Sequence, residues 1–251
     1  MVLAIVFEVS GPLAMFRRPY TTTSSVSFPI APPTAIAGLI GAILGFDNGG
    51  GENACQADYW THFKGTQIAL EVMAPVSWYS GAINFWNVKD PQKSPHIQVK
   101  HQFLKNPCYR IHVNGPLETV LKQHLEEGTF HFTPCLGTAY AFAKIKYVGS
   151  YQKENLSKNG SPLNVSDLPI SSVIPYFLKE SSEQKIDINL QKLTSMFVER
   201  LPFHMDDQRT LLRTITVLYG KEPGAKIYLK NWDSLEVTSY EGLYISWFPS
   251  W

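Results

Sequence analysis

The sequence predicts an α+β fold: a ferredoxin-like domain of β-α-β-β-α-β order over residues 1–150, with a protruding β-hairpin, and a β-rich region over 151–251. Three observations predict it. Two segments, Pro33–Gly45 and Leu117–Glu127, carry a helical apolar face. Four β-branched or alternating segments surround them in the order strand, helix, strand, strand, helix, strand. Beyond Gln152 the chain turns polar and then breaks into short apolar runs without helical period.

Val2–Val9 (VLAIVFEV) reads as a buried first strand that Ser10, Gly11 and Pro12 end. Pro33 suits a first helical turn and Thr34 offers an N-cap hydroxyl, so the first helix runs to about Gly45. Gly38, Gly41 and Gly45 recur on one face, and each costs roughly 1 kcal/mol against alanine. Two readings fit: close packing of that face on a sheet, or close approach to the backbone of a ligand or partner. Asp47–Asn53 (DNGGGEN) is a turn, and Trp60–Phe63 a short helical or irregular connection. Gln67–Val76 is the second strand. Residues 77–107, with Trp78, Trp86 and several prolines and lysines, are long for a loop and read as the protruding hairpin. Pro107–Val113 is the third strand. In Leu117–Glu127 positions 117, 120, 121 and 125 share one face, and Gly128 stops the helix. Phe130–Gly137 is turn-rich, and Thr138–Tyr147 alternates strictly as the fourth strand. Gln152–Asp167 is a polar linker or exposed loop. Short strands follow at Ile170–Leu178, Lys192–Arg200, Arg209–Leu218, Ala225–Leu229 and Leu243–Phe248. This order is also the topology of RRM-type RNA binders, though a fold alone does not give a function.

With 251 residues, 44% of them hydrophobic, the chain can bury a sizeable core. Charged residues reach only 17% and aromatics 13%. A surface covered by partners and a β-rich core with many buried aromatics both account for this. The net charge of +1 excludes a general polycation, so any nucleic-acid site must be local. Cys55, Cys108 and Cys135 form neither a CxxC pair nor a metal-ligand spacing, which points to a reducing cytoplasm without a bound metal. The amino end lacks a basic n-region and Glu8 interrupts its apolar run, so it does not read as a signal peptide. The longest apolar run free of proline and charge, Thr34–Phe46, is too short for a bilayer. A cytoplasmic protein with no membrane span and no cofactor is the expectation.

The chemistry concentrates in two places. No acid occurs between Glu8 and Asp47, and within that window Arg17 and Arg18 precede Tyr20, Thr21, Thr22, Thr23, Ser24 and Ser25. Arginine, hydroxyls and backbone N–H groups are the usual phosphate positioners, and a helix amino end at Thr34 adds a favourable dipole. The competing reading pairs both arginines with acids elsewhere in the chain. The second place is residues 86–115, where Lys89, Lys93, Lys100, Lys105 and Arg110 face one acid, Asp90. His96, His101 and His112 and the aromatics Trp86, Phe103 and Tyr109 interleave with them. Cations neutralise phosphates and aromatic faces accept unstacked bases; a solvated hairpin with ordinary lysines reads equally from the same residues. The chain has no P-loop, HExxH or GxSxG, and Asp206–Asp207 is an isolated acidic pair in a turn. Lys100–His101 supplies the cation and base that metal-free RNA cleavage needs, but as a dipeptide it fits simple RNA contact better.

Three stretches carry a family resemblance. Gly11–Gly45 (GPLAMFRRPYTTTSSVSFPIAPPTAIAGLIGAILG) resembles the amino-terminal motif of the CRISPR-associated Cas5 family. Thr133–Gly149 (TPCLGTAYAFAKIKYVG) is similar to that family's loop-plus-strand "YLG" region, with Cys135 where an aromatic is common. Leu104–Val113 (LKNPCYRIHV) is similar to the strand after the family's thumb. The match covers much of residues 1–150 and is nearest to type I-B members. It implies a RAMP-type ferredoxin-like fold with a β-hairpin thumb within 77–107. It also implies a non-catalytic subunit of a Cascade surveillance complex, working in antiviral defence or RNA-guided DNA targeting. Such a subunit caps the 5′ handle of the guide RNA (crRNA), contacts the backbone (Cas7) and large subunits, and meets target DNA through the complex. Arg17 and Arg18 would hold handle phosphates, Tyr20 and Thr21–Ser25 would order the loop, and Lys100, His101, Lys105 and Arg110 would line the thumb side. Type I-C members cut precursor guide RNA with tyrosine, lysine and histidine, which makes Lys100 and His101 an endoribonuclease pair in the alternative reading. A transposon-encoded Cascade fits the resemblance as well.

Overall fold

The structure is a computed structural model, and it describes residues 3–21, 24–49, 56–57, 59–152, 154–155, 167–176, 186–193, 195–232 and 234–251. In chain order the first part comprises β1 (Leu3–Ser10), β2 (Leu13–Ala14), β3 (Ser24–Ser25), α1 (Pro33–Leu44), α2 (Tyr59–His62), β4 (Gln67–Val72), β5 (Trp78–Trp86), β6 (His96–Lys105), β7 (Cys108–Asn114), α3 (Glu118–Glu127) and β8 (Lys144–Gln152). The second part comprises β9 (Glu154–Asn155), β10 (Leu168–Ile170), β11 (Ile174–Tyr176), β12 (Asp187–Ile188), β13 (Phe197–Met205), β14 (Leu211–Tyr219), β15 (Ile227–Asn231), β16 (Val237–Tyr240) and β17 (Leu243–Ser246).

The expected α+β, ferredoxin-like order is present. β4, β7, β1 and β8 form one antiparallel sheet in that spatial order, with α1 and α3 as its two crossovers. Alternation assigns the faces. Ile5, Phe7 and Val9 of β1 and Tyr109, Ile111 and Val113 of β7 point to the helices and join Ile36, Ile40, Ile43, Leu121 and Leu125 in the main core. Ala4, Val6 and Glu8 point the other way. The thumb is the hairpin β5–β6, inserted between β4 and β7, with Trp78 opposite Leu104 and Trp86 opposite His96.

Helix α1 (PTAIAGLIGAIL) has no charged side chain, so it must be covered on more than one side. The sheet covers one side. The hairpin β13–β14 packs beside the helix, and its Leu201, Phe203, Ile215 and Val217 belong to the same core as Ile36 and Ile40. The β-rich carboxy-terminal part therefore shares its interior with the first part. Its other sheet, β12-β15-β10-β17-β16-β9, packs Tyr240, Ile245 and Trp247 on Ala4, Val6 and Ala69, across the face of the first sheet that the helices leave free.

Several expectations shift. Thr34 is not the N-cap: Pro32 takes that position without a side-chain cap bond, and Pro33 is the first helical residue. The glycine face of α1 does not lie on the sheet. Gly38 is exposed with nothing within 4 Å of an added Cβ, Gly41 is buried, and Gly45 is the left-handed C-cap (φ 80°) packed under His131. The fourth strand begins at Lys144, not Thr138. Residues 138–143 instead form a turn, with Leu136 N–H donating to Ala141 O and Ala141 N–H to Thr138 O. Gly137 sets that turn at φ 90°, where an added Cβ would run into the Met15 carbonyl. The apolar run from Ile170 divides into β10 and β11 at Ser171–Val173, and Leu178 lies outside the described residues, as do 50–53 and most of the Gln152–Asp167 segment. The strand expected at Lys192–Arg200 starts only at Phe197. No described helix is long and apolar enough to cross a membrane.

Gly38→Ala is expected to stabilise the fold by about 0.5–1 kcal/mol, because its site is open and alanine favours a helix. Gly137→Ala is expected to cost roughly 1–3 kcal/mol, since left-handed backbone and a blocked Cβ combine there. Urea unfolding of both variants beside the wild type checks the pair.

Candidate nucleic-acid interface

Strand β6 brings the two chemically marked stretches together. One edge of β6 pairs with β5 along the thumb. Its other edge pairs antiparallel with β2 (Leu13 with Lys105, Ala14 with Leu104) and parallel with β3 (Ser24 with Lys100, Ser25 with His101). The hydroxyl-rich loop is thus stitched by main-chain bonds beside Lys100–His101. Between them opens a cleft of about 750 Å³ lined by Ser24, Ser25, Val26, Ser80, Gly81, Ala82, Lys100, His101 and Gln102. Four of the sequence-selected residues meet there: Ser24, Ser25, Lys100 and His101. Thr22 and Thr23 lie outside the described residues.

The adjacent arginines occupy different environments. Arg17 is exposed, and its Nη2 donates to Thr21 O at 3.0 Å. Arg18 folds inward. Its Nη1 and Nη2 donate to the two carboxylate oxygens of Glu199 on β13 at 3.0 and 2.7 Å, Nη1 also donates to the Tyr20 hydroxyl at 2.7 Å, and Nε to Ser27 O at 3.3 Å. The guanidinium lies 4.7 Å from the Phe28 ring centre. The pairing of an arginine with a distant acid therefore describes Arg18, while Arg17 faces solvent. Tyr219, on the neighbouring strand, has its hydroxyl pushed up to about 12 by burial and then by Glu199.

Lys100 is exposed at the cleft mouth. His101 is only 5% exposed, with Nδ1 2.9 Å from Val99 O and its ring stacked 5.6 Å from Phe103 and tilted against Phe85 at 5.7 Å. Gly81 stands directly opposite it in register. The Tyr79 ring leans over that gap, 3.1 Å from where a Gly81 Cβ would be. Lys105 is exposed at the thumb base. The aromatics Trp78, Tyr79, Phe85 and Trp86 are all exposed on the hairpin. Of these, Tyr79 and Phe85 were missed in the sequence; their alternation on β5 was the available signal.

Arg110 and His112 belong to a different place. Both point to the helix-free face of the first sheet. Arg110 pairs with Glu8 at 2.8 Å and lies 3.8 Å from Glu71. His112 is fully buried, its Nε2 donating to Glu71 Oε1 at 2.8 Å and its Nδ1 accepting from the Tyr240 hydroxyl. Burial holds the imidazole below its ordinary value and Arg110 pushes the same way, against Glu71. Thr34 is half-buried behind Ala31, Pro32 and Pro33, which are all buried, so the first turn of α1 faces the protein. Among the described residues no group of three or more His, Cys, Asp or Glu could hold a metal.

Comparison with known proteins adds the fold's relatives. The family model described as CRISPR-associated protein (Cas_Cas5) matches residues 4–169. No curated protein matches the chain. A chain of a solved CRISPR RNA-guided surveillance complex superposes with a TM-score of 0.54 at 12% identity, over 90% of this chain and 91% of its own. A CRISPR protein from Archaeoglobus fulgidus superposes with a TM-score of 0.58 at 10% identity, over 99% of this chain and 100% of its own. At such identities the likeness is one of fold.

The buried His112 makes stability depend on pH. Its folded pKa lies below the unfolded value of about 6.5, so the unfolded chain binds the proton first and stability falls as pH drops below about 6.5. His204, lowered by burial and then by Arg213, acts in the same direction. The melting temperature is expected to fall between pH 7.5 and pH 5.5, and His112→Gln to flatten that slope.

Proposed function

The chain belongs to the CRISPR-associated Cas5 family, and we propose that within it this chain caps the 5′ handle of the guide RNA in a type I Cascade without cutting it. In this role it joins the backbone and large subunits and reaches target DNA through the complex. One observation carries the reading: the pairing of β3 with β6, which sets a hydroxyl-rich loop against a lysine on an aromatic hairpin. Single-stranded RNA asks for those parts, namely cations and hydroxyls along the backbone and aromatic faces for splayed bases. Arg17, Tyr20, Thr21, Ser24, Ser25, Lys100 and Lys105 would follow the handle phosphates, and His101 would brace the aromatic row beside them. Arg18, Arg110 and Thr34 would serve the scaffold.

The endoribonuclease reading keeps one supporting observation: Lys100 and His101 border one cleft, and the Tyr79 ring, itself outside the cleft lining, lies over Gly81, the residue opposite His101. The near-complete burial of His101 and its stacking on Phe103 favour a bracing role, because a general base must reach the 2′-hydroxyl it deprotonates.

Lys100→Ala is expected to weaken binding of handle RNA and to reduce the slope of log K against log salt by about 0.7, one phosphate contact to a single strand. Arg17→Glu is expected to weaken it further. Fluorescence titration across salt concentrations reads both. Incubation of the purified protein with repeat RNA in EDTA is expected to leave the RNA intact; specific cleavage lost in His101→Ala would replace capping with the nuclease reading.

A further inference from the structure

The loop assigned to the RNA path is closed at its base by main-chain bonds: Arg18 N–H to Val26 O at 2.8 Å, Phe28 N–H to Phe16 O at 2.8 Å, and a bridge between Arg17 and Ser27. Arg17 donates to Thr21 O, the Thr21 hydroxyl donates to Arg18 O, and Ser27 Oγ accepts from Phe16 N–H; Arg18 adds the bonds that tie the loop to its surroundings. It reaches forward to the Tyr20 hydroxyl and across to Ser27 O, and covers the Phe28 ring. Two further N–H groups, one on Nη1 and one on Nη2, donate to Glu199, 181 positions away, in a two-bond fork with both side chains about four-fifths buried. Such a fork fixes a planar guanidinium in position and orientation together. Glu199 sits on β13, which α1 holds in place through the shared core, and it lies beyond residue 169, where the family match ends.

We propose that Glu199 is a positioning residue for the RNA cleft. It fixes Arg18, Arg18 fixes the loop from 18 to 27, and the fixed loop lays Ser24 and Ser25 on β6 and turns Arg17 outward. The inference rests on the RNA-capping reading. It also has a sign that charge alone does not. A carboxylate near an RNA path opposes polyanion binding, so electrostatics predicts tighter binding when Glu199 is neutralised. Positioning predicts weaker binding.

The full chain is compared as wild type, Glu199→Gln, and the reciprocal double variant Arg18→Glu with Glu199→Arg. The probe is a fluorescently labelled repeat-derived RNA carrying the 5′ handle. Binding is measured across salt concentrations, with hydrogen exchange of residues 16–28 and thermal unfolding alongside. Glu199→Gln is expected to bind about tenfold more weakly, the scale of losing a charged hydrogen-bond pair. Its salt slope should stay unchanged and exchange in the loop should rise. The double variant restores the ion pair but not the Arg18 bonds to Tyr20 and Ser27, so it is expected to regain part of the loop protection and, with it, part of the affinity. Equal or tighter binding by Glu199→Gln overturns the proposal. So does a double variant that regains loop protection but not affinity, because Arg18 would then touch phosphate itself. If the wild type shows no salt-dependent affinity for handle RNA, the capping reading falls, whereas the exchange data still decide whether Glu199 orders the loop.

Discussion

An entirely uncharged helix cannot stand on the surface, and much of this architecture follows from covering one. α1 buries Ile36, Ile40 and Ile43 toward the sheet and needs a second cover on its flank. The hairpin β13–β14 provides it with Leu201, Phe203, Ile215 and Val217. Burial of each such side chain is worth about 1.5–3 kcal/mol relative to exposure, so the hairpin's seat is fixed by the core. The same seat places Glu199 within reach of Arg18. A packing requirement of a helix thereby sets the electrostatic environment of the loop that leads into it.

The carboxy-terminal sheet imposes a second constraint. In an RRM-like fold the helix-free face of the sheet is the natural platform for bases. Here Tyr240, Ile245 and Trp247 cover part of it, and Glu8, Glu71, Arg110 and His112 are engaged with one another over an adjoining part. The marked residues outside this face gather instead at the junction of the thumb with the loop between β1 and α1. The RAMP-type fold of the Cas5 family thus carries its candidate interface at the edge of β6 rather than on the sheet.

The parts of the fold that repeat with a period were legible. Val2–Val9, Pro33–Gly45 and Leu117–Glu127 declared their elements through residue spacing, and the thumb declared itself as a segment too long to be a loop. Thr138–Tyr147 misled because small and aromatic residues alternate in it, yet Gly137 takes a left-handed turn and only Lys144 onward is strand. Two-residue strands such as Ser24–Ser25 leave no pattern to read, so the pairing that forms the cleft was invisible. The two arginines were indistinguishable for a similar reason. Nothing local separates Arg17 from Arg18, and the acid that does so is 181 positions away.

The thumb's outer strand bears on how the free chain behaves in solution. Among the described residues β5, nine residues long, pairs only with β6, while Trp78, Tyr79, Phe85 and Trp86 lie open along it. A bare strand edge lined with aromatics is a template for joining another such edge. Free copies at high concentration are expected to meet through this edge and precipitate, so the hairpin limits how concentrated the isolated chain can be kept.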